Sequence, residues 1–125
     1  MTLLHEELTG SILKCAYKVH SALGPGLLES AYEECLHYEL DKTGLEVIRQ
    51  KPMPLIYNDK KLDIGYRIDL LVEGKVILEI KSVEAVNPVH LAQLMTYLKL
   101  SGCMIGFLFN FNVESLKDGI KRVII

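Results

Sequence analysis

The chain has 125 residues, half of them hydrophobic and 24% charged, with a net charge of −2. That length supports one hydrophobic core and a single domain, 1–125, of ordinary globular composition. The small negative charge excludes a general attraction to polyanions or anionic membranes, so a polyanion has to be held by a local patch or through a metal. Three unclustered cysteines, Cys15, Cys35 and Cys103, suit a reducing cytoplasm rather than a disulfide scaffold or a zinc site, and they read as core fillers. The opening "MTLLHEELTG" carries acids and no cationic flank, and no apolar run approaches the ~20 residues of a membrane span. A cytoplasmic protein with no membrane partner is expected.

The first 44 residues are predicted to be helical. Leu8, Ile12, Cys15, Ala16, Val19 and Leu23 recur at steps of three and four, which places them on one stripe. "GPG" at 24–26 ends that helix. A second follows with Leu28, Ala31, Tyr32, Cys35 and Leu36 inward and Gly44 as its stop. Residues 46–57 form an extended piece, and Pro52 and Pro54 place it at an edge. "NDKK" turns the chain. Residues 62–72 alternate, with Leu62, Ile64, Tyr66, Ile68, Leu70 and Val72 on one face and Arg67, Asp69 and Leu71 on the other. "EG" at 73–74 is a tight turn and "KVILEIKS" the returning strand. Pro88 opens a third helix that closes at Gly102. "CMIGFLFNF" is a buried strand, "VESLKDG" a short connector and "IKRVII" a last edge strand. The order ααβββαβ(β) predicts an α/β fold, a three-layer sandwich with a mixed central sheet flanked by helices.

One stretch resists the apolar pattern. Within "VILEIKSV", Glu79 and Lys81 share a face of an otherwise dry strand, and burying charge is unfavourable unless something compensates it. The antiparallel hairpin brings Asp69 roughly level with positions 77–79. Two readings stand. A divalent cation bridging Asp69 and Glu79 makes both acids tolerable, with Lys81 beside it to hold a water. Otherwise the charges form a structural ion pair.

Other residues join the question. On the third helix Leu91, Leu94, Met95 and Leu98 form one stripe, and His90, Gln93 and Tyr97 form a second beside it. Gln93 and Tyr97 either present hydrogen-bonding groups to the site or are a surface residue and a core aromatic. Glu29 lies at the edge of the second helix's apolar stripe, as a third carboxylate or as an acid suited to the helix dipole. His20 and His90 are more often structural than catalytic. Arg49, Gln50 and Arg67 sit near the cleft, with pairing to an acid the favoured reading for Arg67. Asn110 ends a buried strand as a cap. Lys60–Lys61 and Lys121–Arg122 are short basic spots.

Asp69 followed by Glu79-Ile80-Lys81 resembles the PD-(D/E)xK signature of restriction-endonuclease-like nucleases, with Ile68 in place of the motif's proline. Gln93-x-x-x-Tyr97 is similar to an additional motif of the exonuclease-like branch. Gly26-x-x-Glu29-x-x-Tyr32 resembles the motif of the GxxExxY family. The resemblance implies a Mg²⁺- or Mn²⁺-dependent phosphodiesterase acting on nucleic acid, DNA above RNA. It implies Asp69, Glu79 and Glu29 as metal ligands, Lys81 as the residue that orients water, and Gln93 and Tyr97 as positioning groups. A non-cleaving nucleic-acid-binding or regulatory module, or an oligomerising subunit of the same fold, is the competing expectation. A homodimer or a protein partner is a further expectation, since either would extend the footprint of so small a chain.

Overall fold

A computed structural model describes residues 5–125, so the helical reading of residues 1–4 lies outside the described residues. The first stripe becomes α1 (Glu6–Leu23), which buries Ile12, Cys15, Ala16 and Val19. Leu23, expected on that stripe, is exposed, being the last residue before Gly24 takes φ 66° and ends the helix. α2 (Glu29–Lys42) buries Tyr32, Leu36 and Leu40. Leu28, expected inward, is 76% exposed, because it is the extended residue preceding the helix and belongs to no helical face. Gly44 takes φ 88° just after α2 ends.

The extended piece at 46–57 is two strands, β1 (Val47–Pro52) and β2 (Leu55–Tyr57). Pro52 and Pro54 have no N–H for a ladder, and the chain leaves the sheet between them. The expected strand at 62–72 is likewise divided into β3 (Lys60–Leu62) and β4 (Arg67–Val72). β2 and β3 make a separate two-stranded hairpin. Its turn residues, Asn58 and Asp59, take φ 48° and 64°, the positive values that a two-residue hairpin turn requires. Met53 N–H donates to the Tyr66 carbonyl at 2.8 Å, where this hairpin leaves the main sheet and rejoins it.

The main sheet adds β5 (Val76–Lys81), β6 (Ile105–Asn110) and β7 (Ile120–Ile124), the last entered through a 3₁₀ turn at Leu116–Gly119. Its order is β1-β4-β5-β6-β7. β5 and β6 are parallel and all other neighbours antiparallel, so the sheet is mixed as expected. Between β5 and β6 runs α3 (Pro88–Ser101). Its start is closed by Asn87, whose side chain accepts from Val89 N–H at 3.0 Å, while His90 Nδ1 accepts from Asn87 N–H at 3.2 Å. His90 is therefore a capping residue.

Two cores lie on the two faces of the sheet, not the single one expected from the length, because the central sheet is covered by helices on both sides. α1 and α2 pack on Leu70, Val72, Val76, Leu78, Ile80, Phe107 and Phe109. α3 packs through Leu94, Tyr97 and Leu98 on Ile68, Leu71, Ile77 and Leu108. The layers are thus helix, sheet, helix, the α/β three-layer sandwich anticipated from the sequence. Gly106 lets α3 approach: a Cβ there would stand 2.8 Å from the Leu94 side chain. That close approach sets how deeply α3 carries Gln93 and Tyr97 toward the sheet.

Candidate active site

The β4–β5 ladder pairs Val72 with Val76, Leu71 with Ile77 and Leu70 with Leu78. At the next level, where Asp69 comes opposite Glu79, side chains take over. Asp69 N–H donates to Glu79 Oε2 at 3.0 Å, and Ile80 N–H donates to Asp69 Oδ2 at 2.8 Å. Each acid accepts from the other strand's backbone, so the pair is fixed in place. The alternation expected for 62–72 also fails here. Ile68 packs on the α3 side although Leu70 and Val72, of the same parity, face α1 and α2.

Glu79 is 3% exposed. Burial, and next the charge of Asp69, push its pKa up to about 8, and a hydrogen bond between the two carboxyls also favours its protonated form. Burial raises the pKa of Asp69 too; the charge of Glu33 adds to this, while the Ile80 amide, Gln50 and Lys81 oppose it. Two hard oxygen donors are therefore held together at a point short of positive charge. A divalent cation suits that donor set, since Mg²⁺ is commonly bound by one or two carboxylates and completes its shell with water and phosphate. Among the described residues no group of three or more His, Cys, Asp and Glu side chains converges on a metal position. What converges is this pair.

Lys81 ends β5 half-buried, and its charge opposes the upward shifts of both acids. Its backbone is held by the parallel register with Asn110 and by Phe111 N–H donating to its carbonyl at 3.0 Å. Asn110 caps as expected, accepting from Val83 N–H at 3.1 Å and donating to the Val83 carbonyl at 3.0 Å. The described residues form two ion pairs, Lys18–Glu39 and Arg49–Glu33, and Lys81 is in neither. The structural ion-pair reading of the Glu79/Lys81 face is corrected accordingly: Lys81 stands near the acids without closing on either.

From α3, Gln93 Nε2 donates to the Tyr97 hydroxyl at 3.2 Å. Tyr97 is 3% exposed and lies at the edge of the helix's buried face, on the side next to Gln93. Its pKa is raised by burial and then by the charges of Glu79 and Asp69. Met95, expected on the apolar stripe, is 37% exposed.

The α2 acids divide differently from the expectation. Glu29 is exposed, and its Oε1 accepts from Ser82 N–H at 3.3 Å, one residue beyond Lys81. Ser82 Oγ donates to the Leu27 carbonyl at 2.7 Å, and Tyr32 Oη donates to the Gly24 carbonyl at 2.6 Å while accepting from Leu27 N–H at 3.1 Å. Tyr32 also stacks on Phe111, centroids 4.7 Å apart. The Gly26-x-x-Glu29-x-x-Tyr32 segment therefore clamps the 24–28 loop to the end of β5. The buried α2 acid is Glu33, one turn later, which was not anticipated. Its carboxylate accepts from Arg49 Nε at 2.6 Å and from Gln50 Nε2 at 2.8 Å, and the same Gln50 amide reaches Asp69 Oδ1 at 3.2 Å. Gln50 holds φ 54°, a left-handed conformation costly for a residue with a side chain, in the stretch of β1 across from Asp69. The signal for Glu33 was available: it precedes Leu36 by three and Leu40 by seven, inside the buried stripe.

Among the remaining candidates, His20 and Arg122 are engaged in the fold. His20 Nε2 bonds the Val113 carbonyl at 2.7 Å. Arg67 is exposed and is in neither ion pair, whereas Arg49 carries the acid partner. Arg122 lies over the Phe107 ring and donates to Thr9 at 3.2 Å, so half of the Lys121–Arg122 spot belongs to packing. Cys15 and Cys103 are buried, and Cys35 is half-buried.

A family model described as the PD-(D/E)XK nuclease superfamily matches residues 6–123. The chain belongs to that superfamily, and its mixed five-stranded sheet between helices is consistent with the restriction-endonuclease-like fold. No curated protein and no solved structure matches it. Among the described residues no helix is long and apolar enough to cross a membrane.

Proposed function

We propose that this chain is a metal-dependent nuclease of the GxxExxY branch, hydrolysing phosphodiester bonds in nucleic acid, DNA in the first instance. The observation that carries the reading is the Asp69–Glu79 pair, a half-buried and a buried acid fixed by each other's strands with Lys81 adjacent and unpaired. Asp69 and Glu79 would hold Mg²⁺ or Mn²⁺, with Glu29, exposed at the strand end, contributing through water. When bound, the ion supplies polarisation of a phosphoryl oxygen and a more acidic water.

The chain's own residues do the rest. Gln50 turns the Asp69 carboxylate and separates it from Glu33. Lys81 offers movable N–H donors to the attacking water and to charge that develops on phosphorus. Gln93 orients the Tyr97 hydroxyl toward the pair, where it can donate to a phosphate oxygen or position a water. Burial of Glu79 and Tyr97 keeps the dielectric low, which strengthens each of these interactions.

The test is a cleavage assay on single-stranded, duplex and branched DNA with Mg²⁺ or Mn²⁺. Activity that falls by at least ~100-fold in both Asp69→Ala and Lys81→Ala supports the reading. Equal trace activity in wild type and Asp69→Ala would instead favour a non-cleaving binding module.

A further inference from the structure

Beside the proposed site lies a surface that its chemistry does not use. The β2–β3 hairpin stands off the main sheet, and between it and α3 runs a groove of about 390 Å³. Leu55, Tyr66, Val89, Ala92, Thr96 and Leu100 line it, and it ends on Gln93 and Tyr97. Tyr66 is 44% exposed and Val89 70%. The Tyr66 ring meets Tyr97 edge-on, centroids 6.4 Å apart, so the groove is continuous with the proposed catalytic wall. Contiguous exposed apolar surface of this kind marks a binding face.

Charge narrows the occupant. The neighbouring hollow, on the other side of Leu100, carries Lys51 and Lys61. Neither recess has an acid among its lining residues, and α3 contains no Asp or Glu at all. In a chain of net charge −2 that is a local reversal. A second copy of the chain fits poorly, since a two-fold interface would set these lysines against one another with no acid between them. A partner with both negative charge and exposed flat apolar faces fits better. Duplex DNA hides its base faces, whereas an unpaired strand presents them. The lining is mainly apolar and offers little to a ribose 2′-hydroxyl; the Thr96 hydroxyl spends its one donor on the Ala92 carbonyl at 3.0 Å and can only accept.

We propose that the groove between the β2–β3 hairpin and α3 binds an unpaired DNA strand, a base stacking on Tyr66 and the flanking phosphates meeting Lys51 and Lys61. The proposal rests on the nuclease reading for its substrate class. It makes the enzyme selective for single-stranded ends, flaps or gaps.

The experiment is fluorescence anisotropy of a labelled oligonucleotide in EDTA, so that binding is read without cleavage. Single-stranded DNA is expected to bind at least ten-fold more tightly than the same sequence as duplex. Tyr66→Ala should weaken single-strand binding roughly ten-fold and Tyr66→Phe should preserve it. Lys51→Ala and Lys61→Ala should each weaken binding and lower the salt slope by roughly 0.7 per lost contact. Wild type that binds the single strand in EDTA and fails to cleave it once Mg²⁺ or Mn²⁺ is supplied would sink the nuclease reading and leave the groove standing. Cleavage by wild type together with unchanged binding in folded Tyr66→Ala would overturn the groove alone. Tighter binding of the matching RNA strand would overturn the DNA assignment. A dimer by light scattering that Val89→Glu dissociates, with DNA binding unaffected, would show the face to be an interface between copies.

Discussion

The backbone N–H of Asp69 donates to the Glu79 carboxylate at 3.0 Å, at the level where the ladder between their strands stops. Two acids thereby replace a rung of the sheet, and backbone amides of each other's strands hold them adjacent. The consequences can be measured.

Glu79 makes the metal-free protein sensitive to pH. Its pKa stands at about 8 in the folded chain against an ordinary 4.5, so between those values the folded state holds a proton that the unfolded state releases. Stability therefore falls with rising pH in that window. The contribution is complete below about pH 4.5 and lost through pH 8, to the extent of roughly a few kcal/mol. Thermal unfolding in EDTA should show this decline, and Glu79→Gln should flatten it. Mn²⁺ should raise the melting temperature of wild type most at the alkaline end, where the ion no longer competes with the proton. A metal-free melting temperature that rises from pH 5 to pH 8 would contradict the assignment.

Gln50 is expected to trade strain for orientation. Gln50→Ala keeps the positive φ and loses the amide that bridges Glu33 and Asp69, which should destabilise the fold by about 1–2 kcal/mol. Gln50→Gly relieves the backbone and should recover about 1 kcal/mol of that loss. Both variants should weaken Mn²⁺ binding by roughly 10–100-fold, because Asp69 loses a donor that orients it and favours its ionised form. Calorimetric titration that gives wild-type affinity for both would remove Gln50 from the account.

Tyr32→Phe should leave α2 folded and loosen the 24–28 loop. The hydroxyl holds Gly24 and Leu27, and its loss should cost about 1–2 kcal/mol by chemical denaturation. Faster amide exchange at Leu27 and Ser82, with the α2 interior unchanged, is the expected signature. Unchanged exchange at both would show that the loop is held by other contacts.

The Asp69–Glu79 meeting was legible because Glu73-Gly74 specifies a tight turn, and the turn sets which residues face each other across it. α3 was legible at both ends through Pro88 and Gly102. The hairpin β2–β3 was not, since "LDIGYRIDLLV" alternates without a visible break, and the interruption at 63–66 comes from pairing elsewhere. Leu28 was misplaced because a helix boundary shifted by one residue carries a side chain off the stripe. Glu33 had a readable position but looked like one of several acids on α2. Gln50 in a left-handed conformation has no sequence signal, since glutamine does not favour that region and only its partners in the fold hold it there.

The central claim is that Asp69 and Glu79 are the ligands of a divalent cation. Anomalous scattering from crystals soaked in Mn²⁺ near pH 8 tests it most directly. The account predicts a single strong peak within about 2.0–2.4 Å of a carboxylate oxygen from each residue, absent in Asp69→Ala. Manganese bound elsewhere, or the two carboxylates turned apart around an ion that neither touches, would contradict it.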